Sequence, residues 1–424
     1  MRNFYSYDGK LRILPPDNRI KKGIMLPFSK SISNRVLIIR ALSGSSLPVL
    51  RVSDCDDSRV VEEALRDMPE VIDVKAAGTA MRFLTAMLSA MAGETHVITG
   101  TERMRNRPIG VLVDALRSIG AEIDYEQQEG YPPLRITGKR LVGGRVTLRG
   151  NVSSQYISAL LMIGPTLQDG LVLELTGGII SRPYIDMTLA LMCGFGAKAY
   201  WLSESEIRVE AQPYVFTPDY TIESDWSAAS YWYEMVALCG GSEAMVALPG
   251  LWPDSIQGDS VVRELFADLG VGTTFDERRA YVFKTGHVVR RFERDMNDCP
   301  DLAQTVVVTC CMLGVPFRIG GLQTLRIKET DRLAALQNEL LKLGFVVGVD
   351  GDHTLYWEGE MSAVAGHPQD VVIDTYDDHR MAMAFAPVAL KRGCIIINNP
   401  EVVDKSYPDF WYWLFVAGFK LAQL

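Results

Sequence analysis

Apolar residues fall along the chain in two alternating patterns, short runs of strand character and longer stretches with helical spacing. Most of the helical stretches begin in a cluster of Ser, Thr, Asp, Lys or Arg. Residues 1 to 27 read as a strand or two ending at Gly23 to Pro27, and the apolar stretch Val36 to Leu42 follows the polar run Ser29 to Arg35. Phe83 to Met91 is led in by Ala76 to Arg82. Ala159 to Ile163 is led in by Asn151 to Gln155, after the strand-like Gly144 to Arg149, and Ser181-Arg182-Pro183-Tyr184 opens another helix. The pattern predicts further helix starts after Asp225, near Asp254, at Pro300-Asp301, at Lys328 and at Asp377-Asp378-His379-Arg380, with Asp404 to Asp409 preceding the aromatic run Phe410 to Phe415. Strand, polar turn and apolar helix thus recur, although no residue-level repeat accompanies them. The pattern implies an α/β architecture whose polar rim is made of helix starts.

The densest of these starts is Arg326 to Leu333, where Arg326, Lys328 and Arg332 stand with Glu329 and Asp331 in about two helical turns. On a helix, Lys328 and Arg332 (four apart) and Glu329 and Arg332 (three apart) share a face, while Leu333, Leu336, Leu340 and Leu341 form a buried stripe. Taken alone, the run reads first as a solvated face with internal salt bridges, which only other parts of the chain can overturn. Ser29 to Arg35 places several donors in the first turns of a helix, but the glycine of a phosphate-binding P-loop is missing before Lys30-Ser31, so a capped surface helix remains an alternative. Gly78 permits close backbone approach where a helix begins, with Thr79 beside it. Arg103, Arg105 and Arg107 crowd the turn before Pro108, a residue suited to the first helical position; such crowding costs repulsion unless carboxylates or an anion offset it.

Length and charge narrow the picture. A chain of 424 residues is too long for one core and suggests two or three domains, with a crossing just before Asp225. A net charge of −9 argues against a nucleic-acid coat or a general membrane-surface binder, so any basic site must be a local concentration aimed at a small anion. Seven cysteines lie without paired zinc spacing, mostly in apolar runs, and read as reduced core residues of a cytosolic protein. The N-terminus has no signal-peptide core and no stretch is long enough to span a bilayer. No His-x-x-x-His, paired-cysteine or clustered-aspartate set suggests a metal.

Eight segments together resemble the motifs of the 5-enolpyruvylshikimate 3-phosphate synthase family, in the family's order and over nearly the whole chain. They are Lys30 to Arg35, Ala77 to Arg82, Arg107-Pro108, Ser153 to Gln155, Pro300-Asp301, Lys328 to Arg332, Asp378 to Met383 and Lys405 to Pro408. The resemblance implies a transferase of the shikimate pathway to chorismate and aromatic amino acids. It would move the enolpyruvyl group of phosphoenolpyruvate to the 5-hydroxyl of shikimate 3-phosphate and release phosphate through a tetrahedral intermediate. The implied fold is a two-lobed inside-out α/β barrel, each lobe of three βαβαββ units with buried helices. Residues 28–222 would form one lobe and residues 1–27 with 223–424 the other, with the active site in the cleft between them. The implied protein is a cytoplasmic monomer, open without ligand and closing on shikimate 3-phosphate, with no cofactor, metal, nucleic-acid partner or membrane.

By the same resemblance, Lys30, Ser31, Arg35, Ser153, Ser154, Gln155, Ser181, Tyr184, Asp301 and Lys328 would hold shikimate 3-phosphate. Lys30, Gly78, Arg107, Gln155, Arg332, Arg380 and Lys405 would hold phosphoenolpyruvate. Arginine suits bidentate contacts to phosphate and carboxylate, whereas lysine acts as a point charge. The reaction needs a proton delivered to the methylene carbon and one removed from the 5-hydroxyl. Asp301 is assigned as base or orienter, Glu329 as acid and Lys30 as stabiliser of developing charge, and His379 is expected near the phosphate of phosphoenolpyruvate. The chain departs from the family pattern at Phe28, where a glycine is usual, at Ala76 and Phe83, where asparagine and proline are common, and at Thr324, where some members carry asparagine. Two alternatives remain. One is an enolpyruvyl transferase acting on a UDP-amino sugar, which shares the fold but relies on a loop cysteine. The other is a non-catalytic polyanion-binding relative, against which the presence of both Asp301 and Glu329 argues.

Overall fold

Among the described residues, each of the five sheets contains four strands joined by the same sequence of steps: one parallel pairing, then two antiparallel ones. The computed structural model describes residues 7–16, 20–217, 220–241, 243–362 and 370–424. Contacts divide the chain into two compact units, Phe28–Ile222 and Met1–Pro27 with Glu223–Leu424.

In the first unit, Val71–Asp73 pairs in parallel with Thr95–Thr99, which is followed across the sheet by Leu134–Thr137 and Glu122–Tyr125. Gly144–Arg149, Leu171–Thr176, Glu206–Val209 and Ala199–Ser203 repeat this order. In the second unit the same arrangement recurs in three sheets, whose parallel pairs are Lys21–Gly23 with Met245–Pro249, Phe292–Asp295 with Phe317–Gly320, and Val372–Ile373 with Ile395–Asn398. Lys10–Leu14 joins the last of these between Ile395–Asn398 and Lys420–Gln423, so the start of the chain completes a sheet begun near its end.

A parallel pair requires a crossover, and in each pair here a helix leads into the second strand, although between Lys21–Gly23 and Met245–Pro249 the whole of Phe28–Ile222 intervenes as well. These helices are Gly78–Ala90, Ser154–Ile163, Trp226–Leu238, Ala303–Leu313 and His379–Phe385. They are apolar on nearly every face: all residues of His379–Phe385 are buried, as are 12 of the 13 in Trp226–Leu238, Ser227 being the exception, and 11 of the 13 in Gly78–Ala90. A helix without a polar face cannot lie on a surface, so the sheets wrap around the helices and turn their alternate, polar residues outward. The apolar cores are accordingly helical in large part, one per unit. The βαβαββ recurrence with interior helices is the fold class expected from the sequence; of the three units expected in each lobe, the described residues form three sheets in the second unit and two in Phe28–Ile222.

Several predicted helix starts are displaced. Lys328 and Glu329 are not helical: a 3-10 turn spans Gln323–Ile327, and the helix Arg332–Lys342 begins only after Asp331, whose carboxylate accepts from Leu333 N at 3.1 Å and Ala334 N at 3.2 Å. The shared helical face proposed for Lys328, Glu329 and Arg332 therefore does not exist, and Leu341 of the proposed stripe is 51% exposed while Glu339 is buried. Pro108 precedes the helix Gly110–Ser118 rather than opening it. The start expected near Asp254 falls at Val262, after a 3-10 turn at Gly258–Val261. Asp301 lies inside the 3-10 turn Pro300–Leu302, ahead of the helix Ala303–Leu313. All seven cysteines are unpaired and five are buried. Among the described residues no helix is long and apolar enough to cross a membrane.

Candidate active site

A crossover helix begins at the C-terminal end of the strand that feeds it, so the recurring unit delivers helix N-termini, with their unpaired amides and positive dipole ends, to strand ends. Within Phe28–Ile222 the helices Lys30–Leu42, Gly78–Ala90, Ser154–Ile163 and Arg182–Gly194 pack together. Ser153 caps Ser154–Ile163, its Oγ accepting from Gln155 N at 3.4 Å, and the Gln155 amide reaches Thr79 Oγ1 at the start of Gly78–Ala90, 3.1 Å away. Gly78–Ala90 itself has no side-chain cap. Beside its first residue lies the Arg107 guanidinium: a Cβ on Gly78 would stand 2.7 Å from Arg107 Nη1. No carboxylate among the described residues pairs with Arg107, and its Nε is buried without a partner. An uncapped helix start under an unneutralised arginine is an anion-binding arrangement.

Lys30 opens its helix behind the Ser29 cap, and its Nζ bonds Asp57 Oδ2 at 3.1 Å. Arg35 is buried. Its Nε bonds Thr188 Oγ1 at 2.7 Å, Nη1 the Ser31 carbonyl at 2.8 Å, and Nη2 Ser158 Oγ and the Tyr184 carbonyl at 3.1 and 3.4 Å. Phe83, at a departure from the family pattern, lies under the same guanidinium with its ring centroid 5.2 Å from Cζ. Burial pushes the Arg35 pKa down to about 10. Four of its five N–H groups are thus spent on protein, which makes Arg35 a brace that ties Ser31 to Tyr184. Ser154 follows the Ser153 cap, and Ser181 precedes Arg182–Gly194 with a left-handed φ of 54° and little exposure.

In the other unit, Arg332 is 1% exposed and meets three carboxylates: Asp378 Oδ2 from Nε at 2.7 Å, Asp301 Oδ1 from Nη1 at 2.9 Å and Glu329 Oε2 from Nη2 at 2.9 Å. Arg380 Nη2 bonds Asp301 Oδ2 at 3.0 Å, Lys328 Nζ stands 3.6 Å from Asp301 Oδ1, and Lys405 Nζ bonds Glu329 Oε1 at 2.7 Å. Asp378 caps His379–Phe385 by accepting from Arg380 N at 2.9 Å, and its Oδ1 lies 3.7 Å from Nδ1 of the buried His379. Behind Arg380 the Tyr231 hydroxyl is hydrogen-bonded to it, and the buried Asp259 accepts from Ser227 Oγ. Burial by itself would raise the Asp301 carboxyl, but Arg380, Lys328 and Arg332 outweigh it and hold it well below the usual carboxylate range. The Arg332 guanidinium is held above its ordinary value, its burial being overcome by Asp378, Glu329 and Asp301.

Each unit therefore gathers its own share of the predicted residues. In the second unit Asp301, Glu329 and Asp378 are interleaved with Lys328, Arg332, Arg380 and Lys405 and leave one formal positive charge in excess. Sequence reasoning assigned no role to several residues that build these clusters. Asp57 pairs with Lys30 from 27 residues away. Arg82 and Tyr156 both fasten the Pro108 carbonyl, at 3.4 and 2.5 Å, and Asp378 holds Arg332. Arg82 and Asp378 lie inside the motifs that carry the family resemblance; nothing local marks Asp57 or Tyr156.

Recurring βαβαββ units that present cations and carboxylates at their helix starts define the class, an α/β protein built to hold multiply charged anions. The family model described as EPSP synthase (3-phosphoshikimate 1-carboxyvinyltransferase) matches residues 67–414. A Bacteroides fragilis protein named 3-phosphoshikimate 1-carboxyvinyltransferase is 55% identical over 409 residues, covering 96% of this chain and 98% of its own. One from Vibrio cholerae with the same name is 36% identical over 428 residues, covering 94% and 97%. A solved EPSP synthase from Acinetobacter baumannii superposes with a TM-score of 0.77 over 98% of this chain and 100% of that one; at 22% identity it speaks to the fold alone. The chain belongs to the EPSP synthase family.

Proposed function

We propose that the chain transfers the enolpyruvyl group of phosphoenolpyruvate to the 5-hydroxyl of shikimate 3-phosphate with release of phosphate, and that the residue sets of both units serve this one reaction. The observation that carries the reading is that two carboxylates suited to opposite proton transfers, Asp301 and Glu329, are bound to the same buried cation, Arg332, with Lys328, Arg380 and Lys405 around them. Anion binding alone does not call for carboxylates there, since each reduces the positive field.

Addition joins the 5-oxygen of the acceptor to C2 of phosphoenolpyruvate and a proton to its methylene carbon. Elimination then returns that proton and breaks the bond from C2 to the phosphate oxygen, giving the enol ether and phosphate. With three cations on it Asp301 is a weak base, and an incoming phosphate or carboxylate that draws Arg380 and Lys328 away raises its proton affinity as the substrates assemble. Glu329 acts as the acid at the methylene carbon once Lys405 turns from it to a substrate anion. Arg107 over Gly78 takes an anionic group of phosphoenolpyruvate, beside Gln155. Lys30 stabilises developing negative charge, and His379 stands near the phosphate. Ser31, Ser153, Ser154, Ser181, Tyr184 and the spare N–H of Arg35 line the shikimate 3-phosphate side. The reading extends to a monomer working in the cytoplasm on free metabolites.

The deciding assay is phosphate release from phosphoenolpyruvate with shikimate 3-phosphate as acceptor and no added metal. Release that requires a UDP-amino sugar instead, or binding of both ligands without release, would overturn the reading.

A further inference from the structure

The segment that leads into Asp378, His379 and Arg380 contains two adjacent non-glycine residues in the left-handed region, Tyr376 at φ 54° and Asp377 at φ 55°. Asp tolerates that region; a tyrosine does not adopt it without something to hold it there. The holding group is on the helix Arg332–Lys342. Glu339 is fully buried. Its Oε1 accepts from the Tyr376 hydroxyl at 2.7 Å, and its Oε2 accepts from Asp374 N at 3.0 Å and from Lys342 Nζ at 2.7 Å. Lys342 also bonds Asp374 Oδ2 at 2.8 Å, closing a ring around the carboxylate. Seven residues earlier, at the first position of the same helix, Arg332 grips Asp378 at 2.7 Å. One helix thus fastens the segment 374–378 at both ends, at points separated by about 10 Å along its axis, with the left-handed pair between them.

We propose that Glu339 is a positioning residue: by clamping the elbow at Tyr376 and Asp377 it fixes the point from which Asp378, His379 and Arg380 are presented, and so sets the affinity for the anionic enolpyruvyl donor. The inference rests on the functional reading above for the identity of that donor. The clamp itself stands on geometry alone. A carboxylate inside a core requires every acceptor site to be met, and here the partners all come from the segment it restrains or from Lys342. Asp374 is steadied further by Asn398, whose amide donates to Oδ1 at 3.0 Å.

Tyr376→Phe removes one hydroxyl and leaves the fold's packing in place; Glu339→Gln removes one acceptor and the charge. For both, KM for each substrate, kcat and amide hydrogen exchange across residues 377–381 are measured against the unsubstituted chain. Loss of one such hydrogen bond predicts about a 3- to 10-fold rise in KM for phosphoenolpyruvate, with KM for shikimate 3-phosphate within about twofold and faster exchange in the segment. Unchanged exchange in both variants would show that no clamp exists. Faster exchange with KM and kcat both unaltered would show a clamp that positions nothing, and either result overturns the proposal. A chain that releases no phosphate even without substitution would sink the functional reading instead, with the exchange data still deciding the clamp.

Discussion

Replacing Arg332 by methionine keeps much of the volume of a side chain that is 1% exposed and removes the one cation shared by three carboxylates. Asp378 loses its guanidinium contacts from Arg332 while itself at 0% exposure, and breaking a buried pair on one side costs about 3–5 kcal/mol. For a unit of this size that corresponds to a fall in Tm of roughly 6–20 °C. Six of the seven tryptophans, all but Trp201, lie in the unit that contains Arg332, so urea unfolding followed by tryptophan fluorescence reports on the right half. The pH dependence provides a second check. Asp301 has a depressed pKa in the folded chain, so its ionised form adds stability above its unfolded value near 4 and loses it as pH falls through the folded value. Without Arg332 that contribution shrinks. The deficit of the variant is therefore complete and flat from about pH 5 to 8 and narrows below about pH 4. A loss under about 1 kcal/mol at pH 7, or one that does not narrow in acid, would refute the charge argument and leave Arg332 a packing residue.

Gly78→Ala places a methyl 2.7 Å from Arg107 Nη1, the far end of a flexible side chain, so the arginine shifts and the fold does not; KM for phosphoenolpyruvate should rise about 10-fold with Tm unchanged, as steady-state kinetics and a thermal scan would test. Asp301→Asn should lower kcat by about 100-fold or more while both ligands still bind by calorimetry, and a kcat within about twofold of the unsubstituted chain would remove Asp301 from the chemistry. Burial, aided by Asp301 and opposed by Arg380, raises the Asp259 pKa to about 6. A raised carboxyl makes the folded chain lose stability as pH climbs from about 4 to about 6, so Asp259→Asn should gain on the unsubstituted chain across that window, by up to about 3 kcal/mol in urea unfolding, and parallel pH profiles would contradict this.

The apolar helices and the polar starts before them were legible because both depend on local spacing. Val36 to Leu42 and Phe83 to Ala90 are helical where their periodicity predicts, Met91 being the extended C-cap. Boundaries were legible only where the cap chemistry was unambiguous: Ser153 and Asp225 cap as their types suggest. The run at Lys328 misled because its i, i+3 and i, i+4 spacing satisfies a helix equally well when Asp331 is the cap and Lys328 and Glu329 approach Arg332 from a loop. The recurring unit was visible as form without repeated residues, since a sheet of this order requires only that strands alternate and helices be apolar.

By itself, then, the sequence determined the kinds of group available and where along the chain each becomes the start of an interior helix, because capping, helical periodicity and charge are local properties. Tertiary structure alone decided which groups meet. Asp57 reaches Lys30 across 27 residues, Asp378 reaches Arg332 across 46, and Lys405 reaches Glu329 across 76. Those distances close only when crossover helices bring strand ends together, and buried charges then settle against whichever opposite charges the packing supplies, because an unpaired charge in the interior costs more than any local preference can return.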